Sequence, residues 1–147
     1  MRISSVKLTL FVNRFLFFIM AGLLIFLPSL LDWYMTLRPG MGAVPRLALI
    51  LGFYCCAPVI FFALWELDRL LRSILGGLVF VRANVRSISR VRWCCLAVTL
   101  VCLVAACFYP PLIFISIIMF FLTLILSVLQ SVMAAAVEIR EENDLTV

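Results

Sequence analysis

Histidine is absent from this chain, and charged residues make up only 13% of its 147 positions. The first absence removes the commonest protein metal ligand and the one side chain that titrates near neutrality unaided. The second is far below the roughly 25% charged residues of a soluble domain. With 67% of residues hydrophobic, the composition is that of a polytopic membrane protein. Acidic residues are missing from the interior of every long apolar run, so the carboxylate relays of pumps have no members here. No C-x-x-C pair occurs either. Cys55, Cys56, Cys94, Cys95, Cys102 and Cys107 all fall inside apolar runs, and adjacent cysteines on a helix point about 100° apart, too divergent for a metal clamp. They read as small, polarizable packing residues. No nucleophile and base pair, phosphate loop or Walker-type motif is present. The chain is therefore expected to be no enzyme and to carry no cofactor or metal.

Long uncharged runs fill the sequence instead. Residues 15–31 and 47–65 are each close to the roughly 20 residues that a helix needs to cross hydrocarbon. Residues 93–137 hold no Asp, Glu, Lys or Arg. As one helix this run would be roughly 67 Å long, twice the ~30 Å hydrocarbon thickness, so it must fold back. Pro110 and Pro111 mark the place: both lack an N–H, and the first of two adjacent prolines is barred from the α region. The expected architecture is all-α, a single domain over 1–147 formed by a bundle of four transmembrane helices, with spans at about 13–32, 46–66, 92–109 and 111–137. Arg2, Lys7 and Arg14 resemble the basic start of a signal peptide. No small-x-small cleavage pattern follows in residues 26–31, and the first span is expected to remain as an anchor.

Orientation follows from the short connections, where Lys and Arg accumulate on the cytoplasmic side. The N-terminal segment, the second connection and the tail hold ten, against Arg38 and Arg46 in the first connection. Both termini and the second connection are expected in the cytoplasm. Trp33, Tyr34 and Tyr109 at outer span ends, and Trp65 and Trp93 at inner ends, fit the aromatic belts. The first connection, with Arg38, Pro39, Gly40, Met41, Gly42 and Pro45, reads as an exposed turn.

The cytoplasmic connection, 67–91, holds two helical pieces split by Gly76 and Gly77. In the first, Leu64, Leu67, Leu71, Ile74, Leu75 and Leu78 share one face, with Glu66, Arg69 and Arg72 toward the other. This piece is expected to continue span two and then lie on the membrane surface as an interfacial amphipathic helix. Glu66 with Arg69 and Asp68 with Arg72 have the spacing and order of helix-surface ion pairs. In the second piece Arg82, Arg86 and Arg90 lie within about 80° of one another, opposite Val85, Ile88 and Val91, with Arg92 beyond them. Such a basic stripe suits lipid headgroups, the protein's own acids or an acidic partner.

The cytoplasmic tail, 138–147, is acidic and follows span four without a linker. Because the third run folds back, Glu138, Glu141, Glu142 and Asp144 return to the side of Arg82, Arg86, Arg90 and Arg92. The tail is the candidate partner-binding element, with Asn143, Leu145 and Val147 as its neutral contacts. Inside the spans, Thr99, Ser116, Thr123, Ser127, Gln130 and Ser131 supply hydrogen bonding; Ser127, Gln130 and Ser131 recur about one turn apart, a pattern of helix-packing contacts.

Residues 79–94, through Phe80, Val85, Arg86 and the basic Arg90, together with the ending Glu142-Asn143-Asp144-Leu145-Thr146-Val147, resemble the YoaS-like family of small four-span bacterial membrane proteins of unknown function. This chain departs from the family in its shortened outer turn Tyr109-Pro110-Pro111, which leaves little room there for an external ligand. Genes of such proteins commonly stand beside one for a very small helix-turn-helix regulator of the Xre type. The resemblance thus implies a protein of the bacterial cell membrane that senses at the bilayer and sequesters that regulator at its cytoplasmic face, without binding nucleic acid itself. Two other expectations compete: a protective or transport protein, acting on a small apolar compound or toxic peptide as a homo-oligomer, and a structural subunit whose arginines bind anionic lipid of the bilayer.

Overall fold

The computed structural model describes residues 2–37 and 42–146. The expected turn residues Arg38, Pro39, Gly40 and Met41 and the terminal Val147 lie outside the described residues, as do the side chains of Arg2 and Asp144. Four helices carry nearly all of the rest: α1 (Arg2–Leu37), α2 (Ala43–Leu75), α3 (Arg82–Ala106) and α4 (Leu112–Leu145). Each is long and apolar enough to cross a membrane. At 1.5 Å per residue α1, α2 and α4 are roughly 50 Å long and α3 roughly 37 Å. All exceed the ~30 Å hydrocarbon layer, so the charged ends of α2 and α4 extend past it.

The helices pack in chain order, α1 on α2, α2 on α3 and α3 on α4. No close packing joins α4 back to α1 among the described residues, and the bundle is an open row. Its accessible surface is 10183 Å², against roughly 7,600 Å² for a compact monomer of this mass. The interior is correspondingly thin, built on Cys56, Ala57, Ile88, Val98, Ala105 and Val137. Phe11, Phe18, Phe114, Phe121 and Val128 point outward. In water such faces would aggregate; against lipid tails their exposure has no cost, since tails are as apolar as the side chains.

Pro28 and Pro58 lie inside α1 and α2. A proline frees the carbonyl four residues before it, and for Pro28 that is Leu24. The Tyr54 hydroxyl of α2 donates to this oxygen at 3.1 Å, so the neighbouring helix supplies the bond the ring removed. At the far end of the hairpin, α3 stops at Ala106 and α4 begins at Leu112. The double proline is the turn, and the Tyr109 hydroxyl there meets that of Tyr34 on α1 at 3.1 Å.

Between α2 and α3 the structure corrects the sequence reading. No separate interfacial helix lies between these spans among the described residues. The first piece is the end of α2 itself, and its apolar face is taken by protein: Leu64 and Leu67 line a small cleft with Val91, Cys94 and Cys95 of α3, and Leu71 is buried. That leaves Leu64, Leu67 and Leu71 no free stripe to lay on a bilayer. The second piece is the first part of α3. Gly76 and Gly77 do end α2. Leu78 N–H donates to Ser73 O and Gly77 N–H to Ile74 O, both at 3.1 Å, with Gly77 at φ +80°, which is a Schellman cap. Asn84, almost fully buried, donates from Nδ2 to Leu78 O at 2.7 Å and Val79 O at 2.9 Å and fixes the short loop against α3.

Candidate functional site

The charged end of the row is where side-chain chemistry collects. Each helix seam is clasped there by one ion pair: Arg14 Nε to Asp68 Oδ1 at 3.6 Å between α1 and α2, Arg90 Nη1 to Glu66 Oε1 at 2.8 Å between α2 and α3, and Arg82 Nη2 to Glu141 Oε2 at 2.5 Å between α3 and α4. The antiparallel hairpins bring the two members of each pair to the same level. The basic partner on α3 is in both cases an arginine, whose planar fork suits a carboxylate.

Glu66 departs most from the sequence reading. It was expected on a solvated face beside Arg69, yet it is 5% exposed and its partner is Arg90. The reason is geometric: its position on α2 faces α3, and Arg90 arrives there from the other arm of the hairpin. Its second oxygen, Oε2, is buried without a hydrogen bond. Asp68, by contrast, does pair with Arg72 one turn on, as its spacing implied.

The arginine stripe is therefore divided. Arg82 reaches the tail, Arg90 reaches α2, and Arg92 donates to Ser127 Oγ at 3.3 Å while its guanidinium lies 5.7 Å over the Trp93 ring. Arg86 stays exposed and has no ion pair among the described residues. Of the acidic tail, Glu141 alone is brought onto the stripe by an ion pair among the described residues. Glu138 joins Arg82, Arg86 and Val137 in a groove of about 370 Å³ between α3 and α4. Glu142, Asn143 and Leu145 are exposed, on a tail that is roughly the last two turns of α4 rather than a loose segment.

The Arg82 to Glu141 contact is two-pronged, with Nε to Oε1 at 2.8 Å and Nη2 to Oε2 at 2.5 Å, the geometry in which charged hydrogen bonds are strongest. Those bonds hold the Glu141 carboxyl below the usual 4.5 and push the Arg82 guanidinium further up. A carboxylate depressed in the folded state contributes its stabilisation above its unfolded value and loses it as pH falls through the folded one. Acidification from neutral pH to below the usual carboxylate range is thus expected to release the end of α4 from α3. Spin labels carried on non-natural side chains at positions 83 and 143 should report a longer, broader distance at the acid end. Glu141→Gln should show that distribution at neutral pH, and a wild-type distribution that never changes would count against the clasp.

Sequence reasoning also missed the buried polar residues around the clasps. Asn13, Asn84 and Ser87 are each under 5% exposed, and Asn13 donates from Nδ2 to Leu64 O at 3.1 Å, tying α1 to α2. Within the spans, Ser116 Oγ donates to Thr99 O at 3.2 Å between α4 and α3. Thr123 and Ser131 turn back on their own helix, to Met119 O and Ser127 O.

Four membrane-length helices with open apolar faces and charges gathered at their ends define a multi-pass helical membrane protein. The chain belongs to the family described as protein of unknown function DUF2975, whose model matches residues 15–147. No curated protein and no solved structure matches it.

Proposed function

We propose that this is a non-enzymatic protein of the bacterial cell membrane, with both termini in the cytoplasm, whose charged end holds a small Xre-type helix-turn-helix regulator. The observation that carries this reading is the helical end of α4, which continues past the span. Glu138, Glu142 and Leu145 fall at i, i+4 and i+7, a single helical face, and Glu138, Glu142 and Leu145 are exposed. Clasped by Arg82, the tail offers carboxylates with an apolar contact, a surface suited to the basic face that such a regulator turns to DNA phosphate. The resemblance of residues 79–94 and of the last six residues to the YoaS-like family supports the choice of partner.

The test is co-purification of the regulator encoded beside this protein. Full-length protein should retain it; deletion of 138–147, or the milder Glu138→Lys with Glu142→Lys, should lower recovery at least about tenfold, as loss of two or more charged contacts implies. Unchanged recovery with both variants would sink the tail as the docking element. A second reading has one observation in its favour: exposed Arg86, without an ion pair among the described residues, suits an anionic lipid headgroup. The uncovered faces of α1 and α4 also leave room for a homo-oligomer.

A further inference from the structure

On the opposite side of the charged end, away from the tail, lies a groove of about 350 Å³ between α1 and α2. Its polar lining is Asn13, Arg14, Asp68 and Arg72, and its apolar lining includes Phe18 and Trp65. Asn13 and Arg14 immediately precede the uncharged run of α1, and Trp65 closes that of α2. The groove therefore sits at the border between hydrocarbon and headgroups, where tryptophan is favoured.

Two of its acceptors lack donors. Asn13 is 4% exposed and uses its amide N–H on Leu64, while its Oδ1 is buried without a hydrogen bond; the same holds for Asp68 Oδ1. Arg14 Nε lies 3.6 Å from that carboxylate oxygen, outside hydrogen-bonding distance. Leaving buried acceptors unpaired is unfavourable, and native structures seldom do so without a bound water, ion or ligand. Beside these acceptors stand two exposed guanidinium groups, Arg14 and Arg72, suited to a phosphate. Aromatic side chains continue the groove into the apolar layer.

We infer that this groove binds a phospholipid whose headgroup carries ammonium N–H donors beside its phosphate, with phosphatidylethanolamine as the probe of that class. Arg14, the loosest member of the lining, turns outward to the phosphate. The headgroup N–H groups then take its place against Asn13 Oδ1 and Asp68 Oδ1, and one acyl chain lies along Phe18 and Trp65. The site is separate from the tail and from the arginine stripe of α3, so it stands or falls independently of the regulator. It also differs from attraction to negative charge, because an ethanolamine and a choline lipid have the same net charge and differ in N–H donors.

The experiment is lipid retention by the full-length protein in detergent, read by native mass spectrometry, with phosphatidylethanolamine, phosphatidylcholine and phosphatidylglycerol of identical acyl chains. Phosphatidylethanolamine should be retained about fivefold over phosphatidylcholine, as one hydrogen bond to an unpaired buried acceptor gives. Asn13→Leu should bring the two to parity, and Asp68→Asn serves as a second variant. The comparison on the unmodified protein decides the question even where a variant fails to fold. Equal retention of the ethanolamine and choline lipids overturns the proposal. Retention of phosphatidylglycerol alone overturns it in favour of an anionic headgroup, and equal competition by soluble O-phosphoethanolamine overturns the assignment to a lipid.

Discussion

Arg90→Leu is expected to destabilise the protein by about 3–5 kcal/mol, the cost of leaving a buried charge without its partner. Glu66→Leu should cost distinctly less, about 1–2 kcal/mol, because the two members of the pair are buried unequally. The Glu66 side chain is 6% exposed and that of Arg90 43%. Without Arg90, the carboxylate stays between α2 and α3 with its Oε2 already lacking a hydrogen bond. Without Glu66, the arginine swings its head toward water and leaves its stem against the helices. The double variant Glu66→Leu with Arg90→Leu should recover most of the loss, since an apolar pair carries no desolvation penalty. Equilibrium unfolding in mixed detergent micelles measures all three. Equal costs for the two single variants, or strict additivity in the double, would show that the pair is not a buried one.

The contrast between what the sequence disclosed and what it hid follows from the physics of each signal. Span number was legible because apolar length is counted against a fixed thickness, and Pro110 and Pro111 located the last turn because a missing N–H is a property of the residue alone. The interfacial helix misled for a related reason. Leu64, Leu67 and Leu71 form an amphipathic stripe whether a bilayer or a neighbouring helix covers them, and here the protein does so. Glu66 was hidden because burial of a charge depends on a partner remote in sequence. A signal was nonetheless present: Glu66 lies nine residues before Leu75, the end of α2, and Arg90 eight after Arg82, the start of α3. An antiparallel hairpin places such positions at one depth. The same count about Pro110 and Pro111 brings Arg82 to within two residues of the level of Glu141, and Arg92 to within two of that of Ser127. For Asn13 no such count exists, because its partner is the Leu64 carbonyl, a group every residue possesses.

That arithmetic makes the turn between α2 and α3 the setting device for the charged end, and gives the second large effect. Gly77→Val is expected to cost about 2 kcal/mol, because a β-branched residue is strained in the left-handed region that the Schellman cap requires. The Gly77 φ is +80°, and nothing lies within 4 Å of an added Cβ. The penalty is therefore one of backbone conformation, and Gly77→Asn, which tolerates that region, should cost much less. Asn84→Leu should approach the valine variant, since it strips the Leu78 and Val79 carbonyls of their shared donor. The consequence for the site is a coupling. Where Gly77→Val lets the hairpin slip, Arg90 no longer arrives at the depth of Glu66, and Arg90→Leu in that background should lose about 1 kcal/mol or more of its effect. A double-mutant cycle by unfolding in micelles reads the coupling directly. Two fully additive losses would mean that the register of α2 against α3 is set by the spans and not by the turn.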